Sequence, residues 1–314
     1  MKNRNPNYES YSTDLIFERE ELKKRQRGVN DLHKESFLMH DKVQESKAKS
    51  ILVIKCGGSI VNNQAELMSL IADIQQLQNI GYSIVVVHGG GPDINQLCQK
   101  LNISSEFVDG LRVTSAEILV VTQMALLGKT NAILAQQFNQ AGILALGLSG
   151  HDVKLLQGEF VNQNKLGFVG EITDVNHSFL TQLLAMGITP LIAPLAIKQD
   201  ITLNINADLA AAAIASSLQA EKLILLSDID GYYTNYPDPT SLLAQMDSLY
   251  AAQLLATEGI VNSGMRPKLS ACVQTVEAGV KTAHILNGNI PHILIELLQH
   301  NQTVGTTVSK EQVS

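Results

Sequence analysis

The stretch from Ile51 to Ser59, Ile-Leu-Val-Ile-Lys-Cys-Gly-Gly-Ser, is an apolar run that stops on a lysine and two glycines. Leucine and β-branched residues bounded by turn residues make the pattern of a strand covered on both faces, as in a parallel sheet. A lysine at the end of such a strand is costly unless an anion meets it. Gly57 and Gly58 lack Cβ, so the backbone can take unusual φ values and bring its N–H groups close to a ligand. Taken alone, Lys55 is read equally well as a strand-end lysine reaching for solvent beside an ordinary turn. The chain then repeats the device. Ile84 to Val87 is a second apolar strand, and it runs into His88-Gly89-Gly90-Gly91-Pro92-Asp93. Three glycines before a proline at a helix start offer open N–H groups at the positive end of a helix dipole, which is an anion site.

From residue 51 onward strand-like and helix-like stretches alternate. Leu67, Leu70, Ile71, Ile74 and Leu77 stand at helical spacing between the two strands, and Gly81 can close that helix. Further strands are expected at Ile143 to Leu148, Thr189 to Ala193, Leu223 to Leu226 and Thr282 to Leu286. Helices are expected near 115 to 140, 177 to 186, 206 to 219, 247 to 258 and 268 to 278. This alternation predicts an α/β fold with a mostly parallel sheet and helices on both faces. Val153 to Phe160 and Phe168 to Thr173 read as a hairpin inserted in the pattern. Ligands of such sheets collect beyond the carboxyl ends of the strands, where the polar motifs should converge.

Charge separates the first 50 residues from the rest. They hold 11 of the chain's 23 Lys+Arg and 9 of its 30 Asp+Glu, leaving 12 basic and 21 acidic residues for the body. A body this acidic argues against nucleic-acid binding, which needs many cationic phosphate contacts. Helical pieces are plausible within residues 1 to 50, separated near Gly28, and a solvated tail or a docking arm would fit equally. No uninterrupted apolar run approaches about 20 residues and no leader pattern opens the chain, so no membrane association is expected and the reading is cytoplasmic. Cys56, Cys98 and Cys272 lack metal-site or disulfide spacing and read as free thiols.

Four further motifs carry chemistry. Arg112, in Gly110-Leu111-Arg112-Val113-Thr114, offers a planar fork suited to a carboxylate, though a surface ion pair is as common. Asn204-Ile205-Asn206-Ala207-Asp208 opens an alanine-rich helix, with Asn206 a natural N-cap and Asp208 a natural first-turn acid. Ser227-Asp228-Ile229-Asp230-Gly231-Tyr232 follows a strand and reads as a long ligand loop or a surface crossover. In Gly264-Met265-Arg266-Pro267-Lys268 a lysine stands in a first helical turn, against the dipole, and a bound anion would explain it. Gly128-Lys129-Thr130 is not a Walker A loop, because Gln123 stands where that motif needs glycine and the stretch lies in a helical pattern.

In this order the motifs resemble those of the amino acid kinase family from about residue 51 to 308. The Lys-Cys-Gly-Gly and Ser-Asp-x-x-Gly pieces are shared across the family, while Gly-Leu-Arg-Val-Thr and Asn-x-Asn-Ala-Asp resemble its acetylglutamate branch. The resemblance implies an open αβα sandwich with a mainly parallel central sheet, the carbamate kinase-like fold. It implies a charged extension over 1–50, a lobe for acetylglutamate over 51–220 and a lobe for ATP over 221–314. The implied reaction is phosphorylation of the γ-carboxylate of N-acetyl-L-glutamate by ATP with Mg²⁺, in arginine biosynthesis. Lys55 and Lys268 would neutralise the transferring group, Asp208 would hold them, and the amides of Gly58 and Gly90 would bind phosphoryl oxygens. Gly90, Gly91, Arg112, Asn204 and Asn206 would hold the acyl substrate. Ser227, Asp228, Asp230, Gly231, Tyr232, Asn262, Gly264 and Met265 would line the nucleotide pocket, and no metal ligand is assigned to the protein.

Two rival readings stand beside this one. A sister kinase for another acyl amino acid, such as an aminoadipate derivative, would keep both lysines and differ around Arg112 and Asn204. A non-catalytic regulator on the same fold would be expected to lose Lys55, Asp208 or Lys268, and all three are present. Cys56 stands where the family more often has a larger residue. Arginine-inhibited members resemble one another in an amino-terminal helix, which residues 1–50 do not obviously match, and in a glycine-rich tail. His292 and Glu296 suit that tail, whereas Asn301 to Val304 lack its glycine. A homodimer is the expected assembly, with a hexamer and arginine feedback left open.

Overall fold

The computed structural model describes residues 50–310, so the helical pieces expected around Gly28 lie outside the described residues. Strand β1 (Ile51–Cys56) leads through helices α1 (Gly58–Asn62) and α2 (Gln64–Asn79) to β2 (Ser83–His88). Asn63 caps α2 by accepting from the N–H groups of Ala65 and Glu66, and the apolar face read from the sequence is the buried one. Gly81, at φ +106°, ends the helix in a conformation that glycine adopts without strain.

The chain continues with α3 (Gly91–Lys100), α4 (Ala116–Gln140), β3 (Ala145–Ser149), β4 (Leu156–Phe160), β5 (Val169–Val175) and α5 (His177–Ala185). There follow β6 (Thr189–Ala193), β7 (Leu195–Lys198), β8 (Ile201–Ile205), α6 (Ala207–Ser217) and β9 (Lys222–Ser227). The last elements are β10 (Gln245–Asp247), α7 (Ser248–Ala256), α8 (Arg266–Glu277), β11 (Thr282–Asn287), α9 (Ile293–Leu298) and β12 (Thr306–Ser309).

Among the described residues an eight-stranded sheet runs in the order β10-β12-β11-β9-β1-β2-β6-β3. Its neighbours are parallel except for the antiparallel pair β11 and β12. This is the mainly parallel α/β sheet expected. Strands from before residue 220 lie on the β2 side of β1 and those from after it on the β9 side.

The period-two geometry of strands sorts the core into two layers. Val53, Val85, Val87, Leu223 and Leu225 face one cluster with residues of α5, α6 and α8. Leu52, Ile54, Ile84, Val86, Ile224 and Leu226 face the other, with residues of α2, α9 and the end of α4. Alanine is frequent in α6, which lets that helix lie close to α8 and β5.

Two local expectations are revised. The inserted hairpin forms, with β4 antiparallel to β5, but Val153 sits in a left-handed turn at φ +52° and the strand begins at Leu156. β7 and β8 then close this pair into a four-stranded barrel. Second, α4 is apolar and long enough by composition to cross a membrane, with a mean hydropathy of 1.5, although half of that window is buried within the molecule. Ile118, Val121, Leu126, Leu134 and Phe138 are buried, so α4 is a layer of the core. The tail is folded as α9 and β12; His292 is paired with Asp73 at 2.7 Å and Glu296 with His300 at 3.1 Å.

Candidate active site

Lys55 lies at the end of β1 and is buried, so of the two readings of this residue the solvent-reaching one falls. Its Nζ lies 2.8 Å from Asp208 Oδ1, and Lys268 Nζ donates to Asp208 Oδ2 at 3.0 Å. The three groups arrive from three elements: the end of β1, the first turn of α6 and the first turn of α8. Asn206 sets the start of α6 by accepting from the N–H groups of Asp208 and Leu209, so the N-cap aims the carboxylate at both lysines. Burial by itself would raise the Asp208 carboxyl. The two ammonium charges and their hydrogen bonds overcome that and hold it down at about 2.

The two glycine loops lie against each other. A Cβ on Gly58 would come within 2.8 Å of Pro92 Cδ and 3.3 Å of Gly90 Cα, and one on Gly90 would collide with Leu126. None of Gly57, Gly58, Gly89, Gly90 and Gly91 has positive φ, so freedom of φ is not their use here. Gly58 and Gly89 let backbone approach backbone closely at the ends of β1 and β2, and Gly90 leaves room for Leu126, with the N-terminus of α3 opening beside them.

On one side of the lysine pair a cavity of about 150 Å³ is lined by Gly89, Gly90, Gly91, Phe107, Gly110, Arg112, Asn204 and Asn206, among others. Arg112 belongs to a two-stranded ribbon, Phe107–Val108 with Leu111–Arg112. It is buried, stacks over Phe107 at 4.6 Å and donates to Ser105 Oγ and, at 3.5 Å, to the Gly91 carbonyl. Among the described residues no carboxylate lies within 4 Å of its guanidinium. A buried cation without a counter-charge, beside a cavity, is a receptor for an anion. Asn204 lies in β8, and its amide donates to Thr114 Oγ1 at 3.0 Å, tying the barrel to the Arg112 segment. The side-chain oxygen of Asn206 is spent on capping although the residue lines the cavity.

On the other side a cavity of about 360 Å³ is lined by Ser227, Asp228, Gly231, Tyr232, Asn262, Gly264, Met265 and Lys268. Asp230 is not among its lining residues. Its carboxylate accepts from the Tyr233 hydroxyl at 2.6 Å and from Asn287 Nδ2 at 2.8 Å, so it braces the loop from behind. Ile229 lines it as expected, whereas Tyr233, Tyr236 and Ile260 also line this cavity and were not anticipated. Two Tyr rings 5.6 Å apart, those of Tyr233 and Tyr236, give its mouth an apolar face suited to a planar base. The clue available in the sequence was the run of Tyr residues after Gly231.

His88 and His284 are buried in the sheet. His88 Nδ1 donates to the Gly89 carbonyl and its Nε2 accepts from Asn131, which fixes a neutral ring. Burial foremost pushes His88 down to about 4 and His284 down to about 3. In the unfolded chain both take up a proton near the ordinary imidazole value, about 6.5. The unfolded state therefore binds more protons below that value, and stability falls as pH drops from about 6.5 through about 4. Asp208, with a lowered carboxyl, adds a further loss between about 4 and about 2. Urea midpoints measured from pH 7.5 to 4 are expected to decline through this window, with a shallower decline in His284→Asn.

A parallel sheet whose strand ends carry two apposed glycine loops and a lysine pair bridged by one aspartate is the architecture of a phosphoryl-transfer protein. Residues 50–287 match the model of the amino acid kinase family, and the chain belongs to that family. It is 42% identical to the acetylglutamate kinase of Petrotoga mobilis over 267 residues, covering 84% of this chain and 89% of that protein. It is 40% identical to the chloroplastic acetylglutamate kinase of Arabidopsis thaliana, covering 85% and 77% of the two chains. Among solved structures, smu.665 from Streptococcus mutans UA159 superposes with a TM-score of 0.71 at 29% identity, covering 83% of this chain and 99% of that one.

Proposed function

We propose that this chain is an acetylglutamate kinase: it transfers the γ-phosphoryl group of ATP to the γ-carboxylate of N-acetyl-L-glutamate, giving N-acetyl-L-glutamyl 5-phosphate for arginine biosynthesis. The observation that carries the reading is the Lys55–Asp208–Lys268 bridge, accompanied by a small cavity lined by a buried arginine that meets no carboxylate among the described residues and a larger cavity lined by Lys268 and the Tyr233 and Tyr236 rings. The relatives named above support the choice of acid.

Arg112 and Asn204, with the backbone of Gly90 and Gly91, orient the acyl substrate. Ser227, Asp228, Gly231, Tyr232, Asn262, Gly264 and Met265 hold the nucleotide. Residues 51–220 thus form the acyl lobe and 221–314 the ATP lobe, in keeping with the sheet order. A carboxylate oxygen is already a nucleophile, so the reaction needs no strong base. It attacks the γ-phosphorus while the bond to the β-γ bridging oxygen breaks and ADP leaves. Lys55 and Lys268 offset the charge on the moving group, Asp208 fixes their spacing, and the amides of Gly58 and Gly90 donate to its oxygens. Mg²⁺ bound on the ATP phosphates would supply further charge neutralisation. Both oxygens of Asp208 are engaged by the lysines, so the ion would be carried by the nucleotide's phosphates.

The assembly we propose is a homodimer. Val120 and Met124, one turn apart on α4, are each 55% exposed, and edge strand β3 presents Leu146 beside Leu144. A cytoplasmic location suits the demand for ATP and the buried free thiols Cys56, Cys98 and Cys272.

Trapping the acyl phosphate with hydroxylamine tests the reading, using N-acetylglutamate, glutamate and N-acetylaminoadipate as acceptors. The largest hydroxamate yield is expected with N-acetylglutamate. A better yield from another acid removes the substrate assignment, and ATP binding without any hydroxamate removes the kinase.

A further inference from the structure

One carboxylate that the mechanism above leaves unused gathers the segments framing the phosphoryl site. Asp93 stands two residues after Gly91 in the first turn of α3 and is 4% exposed. Its Oδ1 accepts from Asn62 Nδ2 at 3.1 Å and from Lys129 Nζ at 2.7 Å, and its Oδ2 accepts from Thr130 Oγ1 at 2.8 Å. Asn62 is the last residue of α1, the helix that opens on Gly58. Lys129 and Thr130 belong to a π-helical segment of α4, Met124–Asn131, whose widened turns bring both side chains to one carboxylate. Thr130 also backs the second glycine loop, 3.4 Å from where a Cβ on Gly90 would stand.

An acid in a first helical turn ordinarily just offsets the dipole from the surface. Asp93 is buried and held by two other segments. Burial acts to raise its carboxyl, but the bonds from Lys129, Thr130 and Asn62 and the Lys129 charge keep it below the usual range, hence ionised. A buried negative charge so near a loop that must receive phosphate opposes that loop's purpose. Lys129 removes the conflict.

We propose that Asp93 is a positioning residue that sets the spacing of the Gly58 and Gly90 loops, and that Lys129 serves the reaction by cancelling its charge, so the γ-phosphoryl group meets a net positive field. The inference rests on the kinase reading, and it assigns a role to the lysine whose neighbours imitate a Walker motif without forming one.

The test compares AMP-PNP with ADP, each as its magnesium complex, by calorimetric titration into wild type, Lys129→Met, Lys129→Arg and the double variant Asp93→Asn/Lys129→Met. The two nucleotides differ at the γ position, so their affinity ratio isolates the space between the loops. Lys129 is nearly half exposed, and its replacement leaves the core intact. Lys129→Met is expected to lose AMP-PNP affinity about tenfold and ADP affinity less than about twofold. Lys129→Arg and the double variant should regain most of the loss, since each restores neutrality at the carboxylate. Equal losses for both nucleotides, or a double variant no better than Lys129→Met, would show a purely structural pair and overturn the proposal. Wild type forming hydroxamate while Lys129→Met keeps the wild-type ratio sinks the charge-pair role alone. Wild type binding neither nucleotide sinks the kinase reading, and the proposal with it.

Discussion

Lys268→Ala is expected to lower kcat by about a thousandfold while KM for ATP moves less than about threefold. Lys268 stands in the first turn of α8, where a cation opposes the helix dipole, and it is held there by Asp208 at 3.0 Å. In the proposed mechanism charge develops on the transferring group and not on the bound nucleotide, which would account for a cation at a position that helix stability disfavours. Removing the ammonium therefore costs transition-state stabilisation more than ground-state affinity. Lys268→Arg should recover only part of the rate, because a planar fork cannot replace a point charge at the same spot. Steady-state kinetics with saturating N-acetylglutamate decide the matter. A rise in KM with unchanged kcat would make Lys268 a nucleotide-binding residue and nothing more.

Asp208→Ala is expected to cost about 3–5 kcal/mol of folding stability and to abolish measurable turnover. The two ammonium groups it joins have side chains only 9% and 15% exposed, and without the carboxylate they face each other in a poorly solvated place. Denaturant midpoints measure the loss. Sulfate or phosphate should return part of it by binding between the lysines in the folded state, whereas chloride at equal ionic strength should return less. A variant as stable as wild type would mean that the lysines find other partners and that Asp208 does not hold them.

The lysines and the glycine loops were legible because they contrast with their surroundings: a charge or a glycine pair at the end of an apolar run stands out in a linear text. The same continuous runs betray a sheet buried on both faces, which is why β1, β2, β6, β9 and β11 could be read. β7 and β8 could not, since Leu195–Lys198 and Ile201–Ile205 are only four and five residues long, and their barrel partners β4 and β5 lie earlier in the chain. Asp230 was placed in the nucleotide pocket because its neighbours are there. The direction of its side chain follows from Tyr233 and Asn287, the latter 57 residues away. The bond between Asp93 and Lys129 spans 36 residues and depends on a π turn that no periodicity announces.

Gly110, at φ +80°, turns the ribbon that carries Arg112, and a Cβ there would collide with the carbonyl of Ser263. Ser263 directly precedes Gly264 and Met265, which line the larger cavity, so the proposed seat of one substrate abuts the proposed seat of the other with no space for a methyl group at Gly110. Whatever factor a bound nucleotide contributes to the retention of the acyl acid, the acid must return to the nucleotide in equal measure, because the two equilibria close a single thermodynamic square.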